Sequence, residues 1–398
     1  MKPRLKVLWI SDSPSFATGF GRVTREITQR LARHPGLEIA CLAWGFQGNA
    51  SASASQPIRL YPTAPGTCGQ DDFEATVKDF SPDVVITLGE LRMVEWLADH
   101  RLRGHFKWVG YIPLDGGPFY PPWEPVIAQM QEVIAMSEFG RGVLQSGARS
   151  KCVKRISHGV DTDIFKPLVN RTEIKRHPRF DGRFVIGCVA RNQPRKNLPA
   201  LVIAFAELAS RYPELHLYIH STPSTTGYDL VHLLKRFRLQ GRADLASPDL
   251  SVGEGLKDYQ LNELYNLFDV MELPTCAEGF GLPILESLAA GVPVVATNFS
   301  ACPELVAGRG ELARVLTTVI SGGNILEQAI VDVVDLARCI EKLYLSPALR
   351  EDYGLAGRKF AETLSWDRLM PQWFEVLSSA SGVDLTAGIG EETKILVS

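Results

Sequence analysis

Two glutamates, Glu278 and Glu286, stand eight residues apart in the run Pro274-Thr-Cys-Ala-Glu-Gly-Phe-Gly-Leu-Pro-Ile-Leu-Glu286, the segment with the most chemistry in it. The run follows an apolar stretch, Val270 to Leu273, and Pro283 suits the first position of a helix. Glycine lets a backbone approach a ligand closely, and the free amides of a helix start favour an anion. A phosphate fits there, with both carboxylates placed to accept from sugar or ribose hydroxyls. A plainer reading stays open, in which Glu286 complements the helix dipole, Glu278 is solvated and the glycines only make a turn.

A second segment, Gly187-Cys-Val-Ala-Arg191-Asn-Gln-Pro-Arg195-Lys196-Asn197, sets two or three cations where a parallel strand would end. That suits a diphosphate, although such loops are often only solvated. Near the start, Ala17-Thr-Gly19-Phe-Gly21-Arg-Val-Thr24 gives G-x-G-x-x-T and lacks the third glycine of a dinucleotide fingerprint. Glu38 is expected ahead of a strand, Ile39 to Leu42, instead of closing it, which argues against a nicotinamide cofactor. The other reading is a loop that closes over a phosphate or sugar from an opposing domain. Asp115 follows an apolar run and enters a glycine loop, where it either touches substrate or serves turn chemistry. Asp161-Thr-Asp163 has the form of a cation-binding pair but lies just before the linker and reads as structural, as does His158. No G-x-S-x-G elbow is present.

Short apolar runs alternate with helical patterns: Lys6 to Ser11 then Gly21 to Arg33, and Asp83 to Leu88 then Arg92 to His100, with further runs at Lys107 to Ile112 and Val133 to Met136. A second cycle begins at Phe184 and continues through Leu198 to Tyr212, Leu215 to His220, Tyr228 to Arg238, Leu261 to Phe268 and Val292 to Ala296. The alternation predicts an α/β chain of two doubly wound units, with a polar hinge from Phe165 to Gly182. The expected division is residues 1–170, residues 171–364, an amphipathic helix over 365–380 and a mobile tail over 381–398, with a low-complexity loop at Ser51 to Ser55.

A length of 398 residues is too great for one ordinary core, and 45% hydrophobic residues exclude wholesale disorder. A net charge of −3 leaves no large basic excess for nucleic acid or an anionic bilayer. The seven cysteines are scattered without a C-x-x-C pair and read as reduced. The apolar run Val7 to Ile10 is too short for export, and no stretch nears the roughly 18 apolar residues of a membrane span. A soluble, cytoplasmic protein is expected.

Glu278-Gly-Phe-Gly-Leu-Pro-Ile-Leu-Glu286, followed by Ala-Ala-Gly-Val-Pro-Val-Val and by Pro303-Glu304-Leu-Val306, resembles the E-x7-E region of family 4 glycosyltransferases, retaining enzymes of the GT-B fold. Ser137-Glu-Phe-Gly140, His158-Gly-Val-Asp-Thr-Asp-Ile-Phe165, the pair Arg191 and Lys196, Leu264-Tyr265 before Asp269-Val270, and Ser365-Trp366 are similar to further family segments in the same order. The resemblance implies two Rossmann-like domains facing across a cleft, with 365–380 crossing back to the first. It implies that Glu286 holds the nucleotide ribose, and that Glu278 with the backbone of Phe280 and Gly281 holds the donor sugar. It also implies that Arg191 and Lys196 neutralise the diphosphate, that Gly19 and Gly21 sit near the phosphates from the opposite domain, and that neither metal nor cofactor is needed; the amides around Leu282 are expected to assist the two cations.

The sequence departs from the family in three places. Asp115 stands near where many members carry a histidine, so either it replaces that residue as an acceptor-side contact or the sugar geometry differs. His220-Ser221-Thr222 replaces a glycine-rich strand end near the nucleobase, and Asn197 stands where glycine is common. The implied activity is retaining transfer of a hexose from a UDP- or GDP-sugar to an acceptor hydroxyl. The alternatives are a sugar-nucleotide binding protein without turnover and a nucleotide-sugar epimerase.

Overall fold

The computed structural model describes residues 4–48, 58–221, 227–246, 255–321 and 326–386. Among them, seven parallel strands form a first sheet: β1 (Leu5–Asp12), β2 (Leu37–Trp44), β3 (Arg59–Tyr61), β4 (Val84–Leu88), β5 (Lys107–Ile112), β6 (Glu132–Ala135) and β7 (Val153–Arg155). Their order is β3-β2-β1-β4-β5-β6-β7. A second parallel sheet, in the order β10-β9-β8-β11-β12-β13, contains β8 (Phe184–Val189), β9 (Leu215–His220), β10 (Ala243–Leu245), β11 (Val270–Leu273), β12 (Val294–Thr297) and β13 (Gly310–Ala313).

Covered on both faces, the central strands are apolar almost throughout: Val7, Leu8, Trp9 and Ile10 of β1 and Val185 and Ile186 of β8 have no exposure. In each sheet the winding reverses beside its first strand, between β1 and β4 and between β8 and β11. Such switch points open a crevice beyond the carboxyl ends of the strands, and the candidate residues gather at these two crevices.

The helix Trp366–Ser381 packs on the first sheet, with the Trp373 ring 5.6 Å from Trp9 and 5.0 Å from Tyr111. The Leu385 amide donates to Ser378 Oγ at 3.0 Å and its side chain is buried. The chain just past residue 381 is therefore docked, where a mobile tail was expected; residues 387–398, Ser51 to Ser55 and Thr222 lie outside the described residues. The hinge is pinned as well. Lys166 and Leu168 donate their amides to Asn262 Oδ1 and Asn266 Oδ1 at 3.0 and 2.8 Å, on the helix Asp258–Leu267.

Three local expectations change. β2 begins at Leu37 and ends at Trp44, so Glu38 lies within the strand and not ahead of it. The helix expected from Arg92 to His100 is a single turn, Leu91–Val94, continued by a tighter turn at Glu95–Leu97. Its period breaks where the Trp96 and His100 rings both fold onto Phe73, at 5.3 and 5.0 Å. An antiparallel hairpin of β14 (Val315–Ser321) and β15 (Leu326–Val331) had no counterpart in the sequence reading, and its Glu327 amide reaches the Gly117 carbonyl of the first lobe at 2.7 Å.

Candidate functional site

The second lobe brings two loops together at its switch point. After β8 comes the turn Pro194–Lys196, closed by Asn197 in the left-handed region at φ 49°. Asparagine tolerates that conformation better than most residues, which suits it to close this turn. After β11 the Glu278 loop leads to Gly281, at φ 105°, and into the helix Leu282–Ala289. Pro283 occupies the second helical position, one later than expected, because Gly281 itself turns the chain and Leu282 opens the helix.

Lys196 Nζ donates to Glu278 Oε1, and the Glu278 amide donates to Ser300 Oγ at 2.8 Å. Arg195 donates to the Ala277 carbonyl, stands 3.6 Å from Glu278 Oε1 and reaches across the cleft to within 3.3 Å of Asp115 Oδ2. Burial alone would raise the Glu278 carboxyl, yet Lys196 and Arg195 beside it hold it below the usual carboxylate range. Burial draws the Lys196 ammonium down against the pull of Glu278. Asp115 goes the other way: burial raises it, and Arg195 offsets only part of the rise.

Of the two cations expected at a diphosphate, Lys196 is buried against Glu278 and Arg191 is exposed. The Arg191 carbonyl accepts from the Gln193 amide at 2.9 Å, and its side chain makes no hydrogen bond or ion pair among the described residues. The tight turn Pro194–Lys196 instead directs consecutive side chains, Arg195 and Lys196, onto Glu278.

Glu286 lies in the second turn of the Leu282–Ala289 helix with its side chain only 5% exposed. One carboxylate oxygen accepts from Arg22 and the other from the Tyr265 hydroxyl at 2.8 Å. Burial raises the Glu286 carboxyl, and Arg22 and Tyr265 recover part of the shift. Arg22 belongs to the first lobe, on the helix Gly19–Leu31, and also meets Asp258 Oδ1 at 3.0 Å. Thr18 caps that helix by accepting from the Gly21 amide at 2.8 Å. A Cβ on Gly21 would lie 2.5 Å from the Phe16 carbonyl, so no larger residue fits. A Cβ on Gly19 would find Leu282 Cδ1 at 3.8 Å, which places Gly19 opposite the start of the Leu282–Ala289 helix.

Phe280 is buried with its ring 4.9 Å from His158, so its side chain anchors the loop and only its backbone is left to face a ligand. His158 Nδ1 is 2.7 Å from the Tyr111 hydroxyl, and burial pushes the imidazole down to about 3, which keeps it neutral. Asp161 Oδ1 accepts from the amides of Asp163 and Ile164 at 3.0 and 3.2 Å, a turn role. Sequence reasoning did not single out Arg22, Asp258, Arg195, Ser300 or Glu304 as partners in the site. Glu304 accepts from the amides of Glu138 and Phe139 at 2.8 and 2.6 Å, so an acid of the second lobe caps the first-lobe helix Glu138–Gly147. Arg22 had a local signal in its place directly after Gly21, and Arg195 in its place beside Lys196.

Twin doubly wound lobes facing across a cleft define the GT-B fold, and solved structures share it. Sucrose-phosphate synthase from Thermosynechococcus elongatus superposes with a TM-score of 0.76 at 18% identity over 95% of this chain and 100% of that one. The Anabaena Alr3699/HepE structure in complex with UDP and glucose does so with 0.72 at 17% identity over 94% and 100%. Residues 169–360 match the family described as glycosyl transferases group 1. It is 29% identical to the MMP alpha-(1->4)-mannosyltransferase of Mycolicibacterium hassiacum over 69% of this chain and 58% of that protein. It is 33% identical to the lipopolysaccharide core biosynthesis mannosyltransferase LpsB of Rhizobium meliloti over 39% and 43%. The chain thus spans about half the length of the curated relatives it matches. No helix among the described residues is long and apolar enough to cross a membrane.

Proposed function

We propose that this protein transfers a hexose from a nucleoside diphosphate sugar to an acceptor hydroxyl with retention at the anomeric carbon, using neither metal nor further cofactor. The observation that carries the reading is the convergence of Lys196, Arg195 and Glu278 on the start of the Leu282–Ala289 helix, with Glu286 buried in its second turn. The difficulty of the reaction lies in separating a diphosphate from an oxocarbenium-like sugar, so fixed positive charge beside the leaving group lowers the barrier most. Lys196, the exposed Arg191 and the amide of Leu282 take that role, Glu278 orients the sugar, and Glu286 holds the ribose.

In this account the bond from the anomeric carbon to the diphosphate oxygen breaks as the acceptor oxygen attacks the same face. The acceptor proton passes to the departing phosphate oxygen, so no side-chain base is required. Asp115, paired with Arg195 on the opposite wall, lies on the acceptor side. Two donors are suggested by relatives: one is named GDP-mannose-dependent, and HepE is described with UDP-glucose.

The test is a thermal-shift panel of uridine, guanosine and adenosine diphosphates and their glucose and mannose conjugates, since a ligand of the folded state raises the melting temperature. Release of the nucleoside diphosphate is then followed with and without candidate acceptors. Binding with no release under any acceptor would make this a binding protein. Conversion of donor without acceptor would make it an epimerase.

A further inference from the structure

The carboxylate read as the ribose acceptor is already fully engaged. Glu286 gives one oxygen to Arg22 and the other to Tyr265, and 5% exposure leaves a sugar no approach while both partners stay in place. Tyr265 sits on the same lobe and is wholly buried, so it stays. Arg22 is different, because it crosses from the first lobe, on the helix that starts at Gly19.

Its guanidinium has a second place to rest. The other guanidinium nitrogen meets Asp258 Oδ1 at 3.0 Å, and the group lies 5.4 Å over the Phe165 ring. Arg25, one turn along the same helix, holds Asp258 Oδ2 at 2.8 Å and fixes that carboxylate in position. Releasing Glu286 therefore leaves Arg22 charged, paired with Asp258 and stacked on an aromatic face.

We infer that Arg22 is a specificity-determining residue of the donor site: it stands in for the ribose diol on Glu286, and a bound ribose exchanges it onto Asp258 alone. The inference rests on Glu286 being the ribose acceptor. While the site is empty, Arg22 keeps Glu286 charged and aimed. A nucleotide with both ribose hydroxyls displaces it, so the measured affinity is what remains after the contact is given up. A nucleotide whose sugar lacks those hydroxyls has nothing to offer Glu286 and leaves Arg22 where it is.

The test is titration calorimetry at pH 8 with uridine and guanosine diphosphates and their 2′,3′-dideoxy analogues, on the wild type, Arg22→Ala and Arg22→Lys. Removing the competitor should tighten the ribonucleotide that the wild type binds by about tenfold in Arg22→Ala, which is about 1.4 kcal/mol. The dideoxy analogue should change by less than about twofold, and Arg22→Lys, which keeps the charge but not the two-pronged grip, should fall between. A structural defect would weaken both ligands alike. Should Arg22→Ala fail to fold, a smaller gain confined to the ribonucleotide in Arg22→Lys carries the same meaning. Unchanged or weaker ribonucleotide binding in a folded variant, or an equal gain for the dideoxy analogue, overturns the inference while the nucleotide reading stands. A wild type that binds none of the four removes the nucleotide reading and this inference with it.

Discussion

The two lobes follow one winding plan and handle charge in opposite ways. At the switch point of the second lobe, Lys196, Glu278 and Glu286 are all buried, each with an opposite charge in contact. At that of the first lobe the helix start is closed by a hydroxyl, Thr18, which donates to Asp12 Oδ2 at 2.5 Å. The first lobe keeps its charged groups near the site for partners across the cleft: Arg22 for Glu286 and Asp115 for Arg195. A buried charge persists only when paired. The second lobe thus keeps its buried charges by pairing them, and the first complements them from across the cleft. Arg191, whose side chain is exposed and unpaired among the described residues, is the cation that the proposed function assigns to the diphosphate.

Breaking the pairing inside the second lobe should have the largest effect. Lys196→Ala removes the lysine paired with Glu278 and is expected to slow donor turnover by about 10²- to 10³-fold, the loss seen when one preorganised charge-stabilising donor is removed. Initial rates of nucleoside diphosphate release check it, with Lys196→Arg showing whether charge alone rescues.

The interlobe contact on Glu286 comes next. Glu286→Gln should weaken nucleoside diphosphate binding by roughly 1.5 to 3 kcal/mol, the range for hydrogen bonds to a charged group. Because the Glu286 carboxyl is raised and that of Glu278 lowered, acidification neutralises Glu286 first. Calorimetric affinity should therefore fall as the pH drops through the raised Glu286 value, and Glu286→Gln should lack that limb. The stability linkage has the reverse sign: a group raised by folding favours the folded state most when protonated, and that advantage is lost as the pH rises.

A smaller effect should follow at the far side of the cleft. Glu304→Ala uncovers two amides at the start of the Glu138–Gly147 helix and should cost about 1 kcal/mol in urea unfolding, as loss of a helix cap does. Glu304→Gln, which keeps one acceptor oxygen, should recover part of it. The smallest change in stability belongs to Arg191→Ala, within about 0.5 kcal/mol because it breaks no contact. The same variant should lose diphosphate affinity, and that split between stability and binding would sharpen the contrast with Lys196.

The contrast also marks what could be read from the sequence. Glu278, Gly281, Pro283 and Glu286 belong to one continuous loop and helix start, so that local geometry was legible from their spacing, whereas the roles of the two glutamates came only from the resemblance. The twin sheets were legible because their central strands are apolar on both faces. Arg195 was hidden by its neighbours, since three cations stand in one six-residue stretch and the tight turn decides which of them face inward. Arg22 with Asp258, and Glu304 with Glu138, meet across more than 160 positions, and no local pattern encodes such pairs. The hairpin β14 and β15 was missed because its strands show Leu316, Ile320 and Ile330 to solvent, which blurs the alternation of a half-buried strand.

The most direct test is a crystal structure with the uridine or guanosine diphosphate that the protein binds. The account predicts the diphosphate against Lys196, Arg191 and the amide of Leu282, with the ribose hydroxyls on Glu286. A nucleotide lodged elsewhere, or bound in the cleft with those side chains turned from it, would contradict it.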